Sequence, residues 1–279
     1  MIVRSWGARG SIPVSGPEFV KYGGDTTCIE IRTKNDEIII IDAGSGIRRL
    51  ANSLLDQGRY DYTFLFTHAH WDHILGFPFF KPLYSKKARI LIHGCNLHQG
   101  NMEMLLSRTM DAPYFPVPYS QVQADIEFTN VCFSSLRIDS LTVRTIPLSH
   151  PNMGLGYSFE EDGKRFVFLT DNELGFVHRG GLPFDDYVEF ARGADLLFHD
   201  AEYIAEEYEY RKTWGHSSFL DATDLAARAG VRRFGLYHHN QDRPDAGVDA
   251  MVEVARRRAA ADGVALECFG VTQNFEIEL

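Results

Sequence analysis

The stretch Thr67-His68-Ala69-His70-Trp71-Asp72-His73 follows directly on the apolar run Tyr62-Thr63-Phe64-Leu65-Phe66, and the rest of the chain is read outward from it. The apolar run has the aromatic and β-branched composition of a strand. Where a strand ends, alternate residues point to one side, so His68 and His70 share a face. Asp72 and His73 open the next segment and turn toward a neighbouring position. Four nitrogen and oxygen ligands this close together divide naturally between two adjacent cations. A lone histidine is most often structural, whereas three with an aspartate at this spacing form a metal motif.

Working outward, apolar stretches alternate with amphipathic ones. Residues 2–6, Cys28–Arg32 and Ile38–Ile41 read as strands, separated by turn-rich segments. Ile47, Leu50, Leu54 and Leu55 recur at helical spacing, which predicts a helix over 45–57 opened by Ser45 and stopped near Gly58. Residues 88–92 read as a strand and 97–106 as a helix. Residues 111–119, from Asp111 to Tyr119, hold three prolines and three aromatics. They form an irregular loop, either packed on the domain or serving as a substrate wall. In the second half, 141–146 is a strand, and 157–159 pairs with 166–169 about the turn Glu161-Asp162-Gly163. Residues 196–198 and 234–237 are short strands ending in histidine, with helices over 217–229 and 248–261. Strands then helices, twice over, suggest two packed sheets with helices outside. No repeat or linker divides the chain, so residues 1–279 are expected to form one domain.

His-x-His-x-Asp-His after an apolar strand resembles the signature of the metallo-β-lactamase superfamily. Later motifs stand in the matching order at strand ends: His150 in Pro147-Leu148-Ser149-His150, Asp171 closing Phe166-Val167-Phe168-Leu169-Thr170-Asp171, and His238 closing Phe234-Gly235-Leu236-Tyr237-His238. The resemblance implies a four-layer αββα sandwich. It implies that His68, His70 and His150 hold one divalent ion and Asp72, His73 and His238 another, with Asp171 bridging. Zinc is the foremost expectation, with manganese or iron as alternatives, since the same ligands accept several ions. His239 adjoins His238, and only the resemblance separates the two. Asp42, in Ile41-Asp42-Ala43-Gly44, is either a cap ahead of Ser45 or a carboxylate orienting a metal-binding histidine. His93, His98 and His178 lack a partner motif and are expected to be structural or exposed.

Two further segments, 195–202 and 214–218, resemble motifs of the ribonuclease Z-like and cyclic-nucleotide phosphodiesterase-like branch. There a histidine backed by an acidic residue faces the scissile phosphate. By position these are His216 and Asp200, the latter where the branch commonly carries glutamate. Asp72, Asp200 and His216 are thus the expected catalytic residues, Asp72 also being a ligand. An imidazolium beside a phosphoryl group stabilises developing charge and can protonate the leaving alkoxide, and Asp200 would raise its pKa. The glycine-rich segments 7–13 and 23–27 also resemble the opening of phosphodiesterase-type members. Glycines permit close approach of backbone to the metal centre.

The expected function is therefore hydrolysis of a small phosphodiester, such as a cyclic nucleotide, by a metal-bridging hydroxide held between cations roughly 3.5–4 Å apart. The competing readings are a carbonyl hydrolase of lactamase or thioesterase type, which leaves His216 and Asp200 without work, and a non-catalytic binding module. The formal net charge is -10, from 38 acidic and 28 basic residues. That argues against long nucleic acid, which is bound through dense Lys/Arg patches; Arg256-Arg257-Arg258 reads as a solvated helix face. Four cysteines, Cys28, Cys95, Cys132 and Cys268, are widely spaced and read as small buried hydrophobes rather than a disulfide framework. No apolar run suggests a signal peptide or membrane span, so a cytoplasmic enzyme without a membrane partner is expected. The resemblance allows a homodimer, although no interface is legible in the sequence.

Overall fold

A computed structural model describes residues 1–95, 100–129, 132–261 and 263–279. Its strands in chain order are β1 (Ile2–Gly7), β2 (Cys28–Arg32), β3 (Ile38–Ile41), β4 (Asp61–Leu65), β5 (Arg89–His93), β6 (Asp125–Thr129), β7 (Ser135–Ile138), β8 (Leu141–Pro147), β9 (Leu155–Glu161), β10 (Lys164–Leu169), β11 (Leu196–Asp200), β12 (Arg233–Tyr237), β13 (Glu267–Gly270) and β14 (Glu276–Glu278). They form two mixed sheets, in the orders β14-β1-β2-β3-β4-β5-β6 and β13-β12-β11-β10-β9-β8-β7. The α-helices are α1 (Ile47–Asp56), α2 (Trp71–Ile74), α3 (Met102–Arg108), α4 (Phe184–Ala191), α5 (Ala205–Arg211), α6 (Phe219–Arg228) and α7 (Asp245–Ala261).

The strand Ile38–Ile41 shows why these layers assemble. All four isoleucines are buried, and side chains alternate across a strand. Ile38 and Ile40 join the cluster under α1 and α3, while Ile39 and Ile41 join the cluster between the sheets. β10 divides in the same way: Val167 and Leu169 pack toward α4, α6 and α7, and Phe166 and Phe168 toward the opposite sheet. Continuous apolar runs are what strands covered on both faces require. The result is the four-layer αββα sandwich.

The α1 helix buries Ile47, Leu50, Ala51 and Leu54, a single stripe at helical spacing. Its start differs from expectation. Gly46 is the N-cap, with no side-chain capping bond. The Ser45 hydroxyl instead accepts from the Thr26 amide and donates to Asp25, joining two loops. The expected helix over 97–106 begins at Met102 within the described residues, and residues 96–99, His98 included, lie outside them. The cysteine reading is corrected too: Cys95 and Cys132, 37 residues apart, form a disulfide, while Cys28 and Cys268 are free and buried. Spacing this wide carries no local signal of pairing. The loop 111–119 is irregular, with Phe115 set edge-on to Phe79 at 5.5 Å and Tyr114 exposed. No helix among the described residues is long and apolar enough to cross a membrane.

Strand direction places the site. β3, β4, β5 and β6 run parallel, as do β10, β11, β12 and β13. Parallel neighbours release their carboxyl ends at one edge, where open α/β sheets collect functional side chains. Ile41 pairs with Leu65, Leu169 with His199, and Asp200 with Tyr237. The residues that follow therefore emerge side by side from each sheet.

Candidate metal centre

His68 lies beyond the end of β4, His70 is the extended residue that caps α2, and Asp72 and His73 occupy that helix's short first turn. From the other sheet come His150 after β8, Asp171 after β10, and His238 after β12. The fold brings all seven together. Their ligand atoms fall into two groups, each within 4.8 Å: His68, His70, His150 and Asp171, and Asp72, His73, Asp171 and His238. Asp171 belongs to both. Its Oδ2 lies 3.6 Å from His68 Nε2, 3.9 Å from His150 Nε2 and 3.4 Å from His238 Nε2, while its Oδ1 lies 3.2 Å from His73 Nε2.

Three of the imidazoles are turned by the bond that Nδ1 makes. His73 Nδ1–H donates to Asp42 Oδ2 at 2.8 Å, and Asp42 also accepts from the Thr67 amide and hydroxyl. Asp42 is thus an orienting carboxylate rather than a helix cap. His150 Nδ1–H donates to the Gly215 carbonyl at 2.8 Å, and His238 Nδ1–H donates to Glu202 Oε2 at 3.0 Å. These bonds occupy Nδ1 and aim Nε2 inward. His239 turns away, its Nε2–H donating to the Val271 carbonyl at 2.8 Å.

The residues fit divalent cations. His68 Nε2 and His73 Nε2 are buried without a hydrogen-bond partner. His70 Nδ1 faces His150 Nε2 at 3.0 Å. Burial pulls His68 and His150 well below the usual histidine range, which keeps their lone pairs available. Asp42, Asp72, Asp171, Asp200 and Glu202 are all buried, and their ion-pair partners among the described residues are histidines. Buried carboxylates without lysine or arginine carry a large desolvation cost, which bound cations would offset.

Beside this cluster, the His216 ring stacks on His238 with centroids 4.7 Å apart and lies 5.3 Å from His150. Its Nδ1–H donates to Asp200 Oδ2 at 2.7 Å, so the aspartate reaches despite its short side chain. Asp200 is itself held by the Glu202 amide at 3.0 Å. Burial opposes charge on His216, but the Glu202 and Asp200 carboxylates outweigh it and push the group up to about 9.

The β-lactamase superfamily domain matches residues 37–239, a span that contains all seven clustered side chains as well as Asp200 and His216. The chain belongs to the metallo-β-lactamase superfamily. Its relatives put it in the ribonuclease Z-like branch: ribonuclease Z of Haloarcula marismortui is 25% identical, covering 80% of this chain and 83% of the relative. Ribonuclease Z of Haloferax volcanii is 29% identical, with 74% and 76% covered. In fold, the metallo-β-lactamase fold protein YhfI of Bacillus subtilis aligns over 100% of this chain and 99% of its own, with a TM-score of 0.72 at 16% identity.

Three features of this superfamily member escaped the sequence reading. Glu202 orients His238, also accepting from Asn240 Nδ2 at 2.9 Å, and Glu173 is a second buried carboxylate close by. Glu202 was visible in the sequence only as the last residue of the segment 195–202, and Glu173 only as an acidic residue just past Asp171. The third is backbone strain. Asp42, Asp171 and His238, each just past a strand end, have φ of 60°, 51° and 56°. Left-handed geometry is uncommon for non-glycine residues, although Asp and His tolerate it better than most, and it is concentrated at functional sites. Of the early glycines, Gly10 has the close approach expected: an added Cβ would lie 2.3 Å from His238 Nδ1. His93 bonds Thr129 at 2.7 Å and His178 bonds Glu173 at 2.7 Å, so each has a local structural partner.

Proposed function

We propose that this chain is a phosphodiesterase with two metal ions, acting on a small phosphodiester such as a cyclic nucleotide. The observation that carries this reading is the His216–Asp200 pair set against the ligand cluster, with rings and carboxylates at bonding or stacking distance. His68, His70, His150 and Asp171 would hold one cation, and Asp72, His73, His238 and Asp171 the other. Two divalent ions, zinc foremost, would supply a nucleophile at neutral pH and Lewis-acid polarisation of the phosphoryl oxygens.

The remaining work falls to the chain. Asp42, Glu202 and the Gly215 carbonyl keep His73, His238 and His150 in the tautomers that face inward. Asp200 accepts the hydrogen bond of His216 Nδ1–H, which leaves Nε2–H as the group that delivers a proton to the departing alkoxide. The Ser11 amide donates to Asp72 Oδ2 at 2.9 Å and steadies that carboxylate.

A second reading, cleavage of RNA, is favoured by the names of the relatives, both ribonucleases Z. The net charge of -10 favours the small substrate over a long polyanion. The test offers metal-loaded protein bis-p-nitrophenyl phosphate, a panel of cyclic nucleotides, a structured RNA and nitrocefin. His216→Ala should retain its metal yet lose about 10²–10⁴-fold in kcat on a cyclic nucleotide, whose alkoxide leaving group needs the proton, the range for a positioned general acid. Nitrocefin turnover indifferent to that substitution would sink the proposal. Preference for RNA over every cyclic nucleotide would move it to the second reading.

A further inference from the structure

Between α5 and α6 the chain makes a tight turn through Thr213 and Gly215, with φ of 78° and 96°. His216 follows immediately, and the Gly215 carbonyl receives His150 Nδ1–H. This turn is therefore one piece of backbone that sets two histidines at once. It leaves no room for a side chain at Gly215, where a Cβ would lie 2.1 Å from His150 Nδ1. A β-branched residue such as Thr213 is strongly disfavoured in left-handed geometry, so something must hold the turn.

The group in place to do so is Glu173, two residues beyond Asp171 and buried. Its Oε1 accepts from the Thr213 amide at 2.7 Å and the Tyr208 hydroxyl at 2.8 Å. Its Oε2 accepts from the Gly215 amide at 2.8 Å and His178 Nε2–H at 2.7 Å. A carboxylate offers about four lone-pair sites, and all are filled by donors. Two of those donors are backbone amides of the turn itself. We propose that Glu173 is a positioning residue, which clamps the 213–216 turn so that His150 and His216 keep their geometry relative to Asp171. The inference rests on the reading of His150 as a ligand and His216 as the proton donor.

Glutamine at position 173 would replace one oxygen by an amide group whose hydrogens confront two donors, which opens the turn. In metal-loaded full-length protein, Glu173→Gln should lower kcat on bis-p-nitrophenyl phosphate by about 10–100-fold, the range for groups that orient metal ligands, with KM little changed. Zinc titration of metal-stripped protein, followed by calorimetry, should show one of two sites weakened by a similar factor of about 10–100. Tyr208→Phe and His178→Ala each remove a side-chain donor but leave both amides clamped, so each should keep near wild-type kcat and zinc affinity. If E173Q does not fold, Glu173→Asp, which keeps the charge and shortens the reach, serves the same test. A merely structural glutamate predicts that E173Q and Y208F lose thermal stability alike while zinc affinity and kcat per folded molecule stay at wild-type values. That result overturns the inference. If the wild-type protein cleaves no phosphodiester, the proposed function fails, and the zinc titrations still decide the role of Glu173.

Discussion

At the scale of single residues, the centre depends on how closely backbone and ring can approach. Gly10 donates its amide to the His239 carbonyl at 2.9 Å, so its backbone cannot retreat without losing that bond. His238 is confined from the other side by Glu202 and Asp72, both at 3.0 Å. A methyl at position 10 therefore has to displace His238. Gly10→Ala should cost about 1–3 kcal/mol of stability through overpacking. Activity should fall by up to about 100-fold, as expected for a reactive group misplaced by roughly 1 Å. Thermal melts and steady-state kinetics check the two effects separately; full activity in folded G10A would show that the placement of His238 does not matter. The seven clustered side chains were legible by residue type and by the motifs that resemble a known family. Glu202 and Glu173 were not, since a carboxylate's task depends on which tertiary neighbour it meets. The Cys95–Cys132 bond was hidden for the same reason.

At the scale of elements, strands buried on both faces were legible and edge strands were not. Ile38–Ile41 has no other reading, whereas β14 (Glu276–Glu278) shows the sequence one isoleucine between two glutamates. β6 and β7, at the far edges of the two sheets, are likewise half-exposed and mixed in composition. Edge strands carry such polar residues because they face water. The α5 helix buries no residue and so gave no amphipathic stripe. β11 yields a prediction at this scale. At its end His199 Nδ1–H donates to the Asp200 carbonyl at 2.7 Å, and Asn172 Nδ2 donates to His199 Nε2 at 3.2 Å. The Asn172 amide cannot turn over, since its Oδ1 accepts from the Ser149 amide at 2.9 Å. A proton added to Nε2 would face a donor in a buried site, and burial pulls His199 down to about 4. Between the unfolded value of roughly 6.5 and that depressed value, only the unfolded chain takes up the proton. Stability is therefore complete above pH 6.5 and is lost as pH falls toward 4, by about 1.4 kcal/mol per unit from this group. Urea unfolding at pH 7, 6 and 5 should show a shallower acid slope in His199→Gln than in wild type. Equal slopes would place the acid sensitivity elsewhere.

At the scale of the whole molecule, the clustered side chains come from both sheets. His68, His70, Asp72 and His73 belong to the β4 side, and His150, Asp171 and His238 to the β8–β12 side. Cations bound there would tie the two sheets together across the edge where the inter-sheet core ends, in addition to closing an active site. Without them, the only ion-pair partners of Asp72 and Asp171 among the described residues are imidazoles, and the carboxylates repel one another. Ions that bind only the folded state add RT ln(1 + [L]/Kd), which is about 4 kcal/mol per site at a thousandfold excess over Kd. For a chain of this size each kcal/mol moves Tm by roughly 2–4 °C. Chelation should therefore lower Tm by about 10 °C or more, and zinc should restore it in proportion to the logarithm of its concentration. If residues 1–279 form one domain, as we propose, the loaded protein melts in a single transition. Asp171→Ala removes the carboxylate shared by both groups and should lose most of the zinc-dependent shift, while His239→Gln, on the side facing away, should keep it. A Tm unchanged by chelation, or a zinc response intact in D171A, would mean that these side chains meet for a reason other than metal, and the proposed chemistry would have no source of nucleophile.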